Sequence, residues 1–157
     1  MTSNSDISTI AVIPAHLASV RFPRKILFEI HGLPMIEHVR RRALMSQSLD
    51  RVIVATCDEE VASVIRDFGG EVVMTSNTHR NGTTRVAEAV ENLDYSHVIV
   101  LQGDEPLLLP RHVDSMVTAM RCQPDLFAWN GTASIENPDE LERHSFVKGS
   151  GSPHGMV

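Results

Sequence analysis

Short apolar runs alternate with amphipathic stretches along most of the chain, and this alternation limits the possible folds more than any other feature. Four runs are apolar and too short for helices, so they predict strands at residues 10–13, 52–56, 71–74 and 97–101. Amphipathic patterns predict helices at 35–46, at 58–68, after Thr83 as far as Leu93, and at 111–120. The order predicts βαβ units and therefore an α/β fold with three layers, α/β/α, around a mostly parallel sheet.

The segments that follow the predicted strands are the first place to look for a site. Ligands of parallel α/β sheets bind beyond the carboxyl ends of the strands. Those ends lead into residues 16–25, 57–58, 75–84 and 102–106. The first and last segments carry the charged groups that a nucleotide and a metal ion would need. The last of them follows strand 97–101, which we expect to be central in the sheet.

The segment after the first strand combines small residues with spaced cations. The small residues, which let a backbone approach a ligand closely, are Ala15, Ala18 and Ser19. The potentially cationic residues are His16, Arg21, Arg24 and Lys25. Loop amides and such cations are one way to hold a triphosphate, and an ordinary solvated connection is the alternative. The chain has no G-x-x-x-x-G-K-[ST] motif, so this is not the common phosphate-binding loop.

The sequence Gln102-Gly103-Asp104-Glu105-Pro106 places a carboxylate at the predicted edge of the sheet. Gly103 permits a turn or a close approach of the backbone. Asp104 could hold Mg²⁺ against a triphosphate, because Mg²⁺ is usually bound by one or two carboxylates together with phosphates and water. A turn acid that caps the next segment is the alternative interpretation.

A polar segment, residues 78–85, leads into the helix that follows Thr83. Asn81 or Thr83 could cap this helix. The amides and hydroxyls of the segment could also face a nucleobase. No Cys or second His accompanies His79 at metal-ligand spacing, so we expect His79 to be a surface or structural residue.

Composition excludes several other classes of protein. The 157 residues are about one domain, and a net charge of −6 does not favour nucleic-acid binding. The cluster Arg40-Arg41-Arg42 is therefore expected to be a solvated helix face. Neither a G-x-S-x-G nor a G-x-G-x-x-G motif is present, so a serine hydrolase and a dinucleotide-dependent dehydrogenase have no support.

Cysteine usage and hydropathy bear on location. Cys57 and Cys122 lie far apart in the chain and are expected to be reduced packing residues. The polar N-terminus predicts no secretory signal, and no apolar run is long enough to span a membrane. We therefore expect a cytoplasmic protein without a membrane partner. Residues 1–148 are expected to form the α/β domain, with a possible strand at 146–148, and residues 149–157 to form a linker-like tail.

Several stretches together resemble one family. Residues 13–25 are similar to its signature I-P-A-R-x-x-S-x-R-x-P-x-K, and residues 32–39 to its G-x-P-M-I-x-H-V. Further matches follow in order at 54–56, 69–75 and 82–88, and the clearest is Gln102-Gly103-Asp104-Glu105-Pro106. The family is that of 3-deoxy-manno-octulosonate (Kdo) cytidylyltransferase, within the CMP-sugar synthetases. The resemblance covers about residues 10–148.

The resemblance implies a Rossmann-like nucleotide-diphospho-sugar transferase fold and a Mg²⁺-dependent reaction. CMP would pass from CTP to an acidic sugar such as Kdo, with release of pyrophosphate, for lipopolysaccharide or a related surface polysaccharide. By position in the motifs, Arg21 and Lys25 would hold the triphosphate, and Asp104 would bind the metal. The implied nucleotide-binding residues are Pro14, Ala15, His16, Ser19, Arg80, Asn81, Gly82, Thr83, Gln102 and Gly103.

The sequence departs from the family pattern in two places. His16 stands where the signature has Arg, and a neutral imidazole offers one donor in place of a guanidinium fork. The family also continues beyond the length of this chain, into a part that ordinarily supplies much of the sugar site, a second acidic metal ligand and the interface of a homodimer. Two alternatives therefore stay open: a CTP-binding fragment with little turnover, and a nucleotidyltransferase for a different sugar.

Overall fold

A computed structural model describes residues 8–18, 22–142, 151–152 and 155–156. The chain divides into two compact units, Met1–Pro124 and Asp125–Val157. The strands of the first unit are β1 (Thr9–Ala15), β2 (Glu29–Ile30), β3 (Leu33–Pro34), β4 (Arg51–Thr56), β5 (Glu71–Met74) and β6 (His97–Val100). Its α-helices are α1 (Met35–Ala43), α2 (Glu59–Asp67), α3 (Gly82–Val90) and α4 (Pro110–Cys122), and a 3₁₀ turn covers Lys25–Leu27.

The four predicted strands form one parallel sheet in the order β5-β4-β1-β6. The registers pair Ala15 of β1 with Thr56 of β4, and Thr56 with Met74 of β5, so these strands end level with one another. The predicted parallel α/β architecture is confirmed. Among the described strands β6 lies at the edge of the sheet, with β1 as its sole partner, in contrast to the central position expected for it. The sequence pattern identifies a strand but carries no information about which strand lies beside it.

Helices cover both faces of the sheet. On one face Val86 and Ala89 of α3 pack against a cluster formed by Ile10, Val12, Ile53 and Ala55. The intervening residues of β1 and β4 point to the opposite face because side chains alternate along a strand. Helices α1 and α2 contact β4, and α1 also contacts β1. Burial of β1 is nearly complete, which makes it a firm base for the loop that follows it.

The basic cluster on α1 is only partly the solvated face expected from the sequence, because Arg41 is exposed but Arg40 is buried. Arg40 is only 7% exposed and donates to both oxygens of the fully buried Glu37, at 2.7 and 2.9 Å. It also donates to the carbonyl of Phe68, at 3.0 Å, just after the end of α2. Arg41 shares Glu37 and stacks over the Phe68 ring. The end of α2 approaches α1 here, and its carbonyl oxygens attract a buried cation.

Smaller features of the fold include the end of α2 and the places of the two cysteines. Gly69 ends α2 in the left-handed conformation, with φ of 70°, as a C-terminal cap does. Cys57 is half-buried and Cys122 is exposed, so the expectation of a packing residue is wrong for Cys122. None of the helices in the described ranges is long and apolar enough to cross a membrane.

The second unit has little regular structure in its described part. A 3₁₀ turn covers Pro138–Leu141, and β7 (Gly151–Ser152) pairs antiparallel with β8 (Gly155–Met156). This pairing falls in the segment that the composition predicted to be linker-like. The possible strand at 146–148 lies outside the described residues.

Candidate active site

A pocket of about 540 Å³ lies at the carboxyl edge of the parallel sheet. All four segments that follow the predicted strands contribute to it. Of the residues implied by the family resemblance, those that line it are Pro14, Ala15, His16, Lys25, Arg80, Asn81, Gly82, Gln102, Gly103 and Asp104. Thr83 is exposed on the first turn of α3 and is not among the lining residues. Ser19 and Arg21 lie outside the described residues.

Two glycines allow the segments to close around Pro14 at the end of β1. A Cβ atom on Gly82 would come within 2.9 Å of Pro14 Cγ. A Cβ atom on Gly103 would come within 3.3 Å of the Pro14 carbonyl oxygen. A larger residue at Gly82 would therefore force a shift against the Pro14 ring, and one at Gly103 would be tightly placed against the Pro14 backbone. Their small size brings three loops to one pocket.

Lys25 and Asp104 form an ion pair within the pocket. Lys25 begins the 3₁₀ turn after β1, and Asp104 lies in the turn after β6. Their side chains are 30% and 39% exposed, so both remain accessible to a ligand. A cation and a carboxylate side by side can respectively bind a phosphate and the divalent cation that accompanies it.

The chemistry of the donor set fits a magnesium ion that arrives with phosphates. Asp104 supplies one carboxylate, and Mg²⁺ commonly takes one or two carboxylates while substrate phosphates and water complete its octahedron. The described part of the chain contains no group of three or more acidic, His or Cys side chains that could hold a metal ion alone. The residues present therefore fit a metal–nucleotide complex better than an isolated metal ion.

The segment after β1 is tied to the start of α2. The Asp58 carboxylate accepts a hydrogen bond from the Leu17 amide at 2.8 Å. Arg24 donates to both Glu60 oxygens, one at 2.8 Å, and its amide donates to the Leu17 carbonyl at 3.1 Å. The bond to Glu60 raises the pKa of Arg24, and the same contact lowers the pKa of Glu60. Arg24, one of the four cations of this segment, is thus engaged in fixing the loop.

The segment before α3 is shaped by helix capping. The Asn81 side-chain oxygen accepts from the Thr84 amide at 2.9 Å, which confirms the cap that the sequence suggested. Asn81 also lines the pocket, so the residue that caps the helix borders the ligand space. Arg85, which is buried on the first turn of α3, donates to the Thr75 hydroxyl at 2.5 Å and to the Ser76 carbonyl at 3.2 Å.

Several lining residues were not assigned to the site from sequence. Asp58, His79 and Arg85 all line the pocket. Each lies in or beside a segment that follows a predicted strand, so position at the sheet edge was the available signal. His79 does make structural hydrogen bonds, as expected of it, yet it faces the pocket as well. The residue type of His79 does not by itself distinguish a histidine that lines a pocket from one on the surface.

A parallel α/β sheet with a polar pocket beyond its carboxyl edge defines a class of Rossmann-like domains that bind nucleotides. Comparison with known families makes the assignment more specific. The profile of the family described as cytidylyltransferase matches residues 10–152. The chain belongs to the cytidylyltransferase family.

Curated relatives carry a more specific name. The 3-deoxy-manno-octulosonate cytidylyltransferase of Geobacter metallireducens is 47% identical over 110 residues, which are 70% of this chain and 43% of the relative. The mitochondrial protein of that name from Arabidopsis thaliana is 42% identical over 135 residues, 85% of this chain and 47% of the relative. The resemblance seen in the motifs is thus confirmed across most of the chain.

A solved structure agrees with these relatives. It is that of CMP:2-keto-3-deoxy-manno-octonic acid synthetase complexed with CTP, with a TM-score of 0.74 and 42% identity. The match covers 76% of this chain and 49% of that one. The chain therefore spans about half the length of the relatives that it matches.

Proposed function

We propose that this chain forms the nucleotide half of a cytidylyltransferase that transfers CMP from CTP to an acidic sugar such as Kdo. The observation that carries the proposal is the presence of Lys25 and Asp104 in one pocket with the amides of Asn81 and Gln102. Family membership and the names of the relatives support cytidine as the base and Kdo as the sugar.

In the proposed reaction the anomeric hydroxyl of the sugar attacks the α-phosphorus of CTP. The bond from that phosphorus to the bridging oxygen of the β-phosphate breaks, and pyrophosphate leaves. Lys25 lies where it can bind the outer phosphates and offset the charge that develops on the leaving group. Arg21 is proposed to assist it. The pocket contributes mainly by positioning the two reactants, since no covalent intermediate with the protein is required.

Asp104 is the residue proposed to hold Mg²⁺. When bound, the ion would neutralise phosphate charge and promote loss of the hydroxyl proton of the sugar. His16, the first residue after β1, is exposed and is proposed to donate one hydrogen bond to a phosphate. We further propose that the product serves surface polysaccharide synthesis. A cytoplasmic location is proposed as well, which the two free cysteines favour.

A second candidate function is binding of CTP with little turnover. It is favoured by the lining of the pocket, in which Asp104 is the one carboxylate proposed as a metal ligand. Both candidates predict selective binding of CTP. They differ in whether this chain releases pyrophosphate when Kdo is present.

One experiment tests the proposal in two stages. Thermal unfolding is followed with Mg²⁺ and each of CTP, UTP, ATP and GTP in turn. Of the four nucleotides, only CTP is expected to raise the unfolding midpoint clearly. A ligand at 100 times its dissociation constant stabilises the fold by about 2.7 kcal/mol, which such a scan resolves. Equal shifts with all four nucleotides, or none with CTP, would overturn the proposal. Pyrophosphate release with CTP and Kdo then separates turnover from binding alone.

A further inference from the structure

The segment between β5 and α3 lines much of the pocket without regular secondary structure of its own. It contributes Asn77, His79, Arg80 and Asn81 to the lining. A segment of this kind loses conformational entropy when a ligand orders it, unless other contacts hold it beforehand. The structure shows what holds it.

Glu88, one turn after Thr84 on α3, connects two parts of the segment. Its carboxylate accepts from the Ser76 amide at 3.0 and 3.1 Å, one distance to each oxygen. The same carboxylate pairs with Nε2 of His79. Both contacts lower the pKa of Glu88, with the His79 bond the larger cause, so the carboxylate is ionised and acts as an acceptor.

His79 passes this connection on to the helix cap. Its Nδ1 lies 3.2 Å from the Thr84 hydroxyl oxygen. That hydroxyl donates to the Asn81 carbonyl at 3.2 Å, and the Thr84 amide donates to the Asn81 side chain at 2.9 Å. The contacts therefore run without a break from Ser76 through Glu88, His79 and Thr84 to Asn81, which faces the pocket.

The position of the segment indicates which part of a nucleotide it meets. Lys25 and Asp104 lie beyond β1 and β6, at one side of the sheet. The segment starts at the end of β5, on the opposite side of the sheet, and reaches Pro14 at Gly82. With the phosphates at the Lys25 side, the nucleoside lies toward the segment.

We propose that His79 and Glu88 are positioning residues that fix the nucleoside-facing segment 77–81 before a cytidine nucleotide binds. This inference rests on the proposed function. Neither side chain needs to touch the reacting atoms, because both act through Asn81 and its neighbours. Loss of either contact leaves the segment to be ordered by the nucleotide, which weakens binding of the nucleoside but leaves binding of phosphates at Lys25 intact.

The test compares His79→Gln and Glu88→Gln with the unaltered chain by calorimetry, using CTP, CMP and inorganic tripolyphosphate with Mg²⁺. Each substitution is expected to weaken CTP and CMP about tenfold, the size of one hydrogen bond to a charged group. Tripolyphosphate affinity is expected to stay within about twofold. The double variant is expected to lose less affinity for CTP than the two single losses combined, because the two residues share one contact.

Glu91→Gln is the matched control, since Glu91 is exposed just after the same helix. It is expected to leave all three affinities unchanged. CTP affinity in both variants close to that of the unaltered chain would overturn the inference. Equal weakening of CTP and tripolyphosphate would also overturn it, because it would indicate a general structural defect. If the unaltered chain itself does not prefer CTP over other nucleotides, the proposed function is what fails.

Discussion

The ammonium group of Lys25 and the carboxylate of Asp104, 79 residues apart in the chain, form an ion pair across the pocket. To bind a metal–triphosphate complex, Lys25 would have to release Asp104 and bind phosphate, and Asp104 would have to release Lys25 and bind the metal ion. If Asp104 binds a divalent cation as proposed, Lys25 competes with that cation for Asp104 in the free protein. Once a triphosphate is present, Lys25 has an alternative anion, and Asp104 becomes available. The pair predicts that metal and nucleotide bind cooperatively.

Replacement of Lys25 by Met should change two affinities in opposite directions. CTP binding should weaken by about tenfold to a hundredfold, the range for one charge-assisted hydrogen bond. Mn²⁺ binding to the free chain should strengthen because Asp104 loses its competitor. Calorimetry measures the first and electron paramagnetic resonance of free Mn²⁺ the second. CMP should be affected much less than CTP, and Arg66→Met, which removes an exposed cation paired with Glu59, should change neither. A fall in the affinities for both CTP and Mn²⁺ would contradict competition between Lys25 and the divalent cation for Asp104.

Replacement of Asn81 by Asp should distinguish the role of its side chain as the N-cap of α3 from its role in binding the nucleotide. Asp is as good an N-cap as Asn, and its charge is favourable at the start of α3, so the unfolding midpoint should stay the same or rise. CTP affinity should fall at least about tenfold, because a carboxylate replaces an amide beside an anionic ligand. Asn81→Ala should instead lower stability by about 1 kcal/mol. If Asn81→Asp binds CTP normally, the side chain has no part in binding.

Replacement of Glu37 by Gln should destabilise the fold strongly without a direct effect on the pocket. Glu37 is fully buried between Arg40 and Arg41, and removing one partner of a buried pair leaves an uncompensated charge. The expected loss is about 3 kcal/mol, measured by urea denaturation. Glu59→Gln, in an exposed pair with Arg66, should lose less than about 1 kcal/mol. Similar losses for both variants would be inconsistent with the burial of Glu37.

Replacement of Asp114 by Asn should have a pH-dependent effect on stability. Hydrogen bonds to the Asp114 carboxylate, chiefly from the Ser46 hydroxyl at 2.5 Å and then from Ser48, lower its pKa in the folded state. The stabilisation is thus complete above the ordinary Asp pKa of about 4 and is lost as pH falls through the lowered value. The gap in unfolding free energy between the two proteins should be widest near neutral pH and should close in acid. A gap that does not vary with pH would refute this assignment.

Much of the fold was predictable because its signals are local. Short apolar runs located the four strands of the sheet, and period-3.6 patterns located the helices between them. The rule that ligands bind beyond the carboxyl ends of parallel strands then selected the segments that form the pocket. The helix predicted to reach about Ser46 ends at Ala43, a difference at a boundary where local signals are weakest.

The errors concern contacts between elements that are distant in sequence. The charged residues of α1 gave no sign that the end of α2 would cover them, so Arg40 was expected in solvent. Among the described strands β6 lies at the edge of the sheet; its position depends on which strands pair, and the pattern of residues within a strand does not encode this. The same limit applies to Glu88, whose role depends on Ser76 and His79 folding back onto α3.

The most direct test of the account measures how Mg²⁺ changes CTP affinity, by calorimetry with and without the ion, in the unaltered chain and in Asp104→Asn. Glu105→Gln, an exposed neighbour outside the pocket lining, is the control. Mg²⁺ is expected to tighten CTP binding in the unaltered chain and the control, whereas Asp104→Asn is expected to lose this tightening while keeping its unfolding midpoint. Undiminished tightening by Mg²⁺ in Asp104→Asn would contradict the central claim that Lys25 and Asp104 together bind a metal–triphosphate complex.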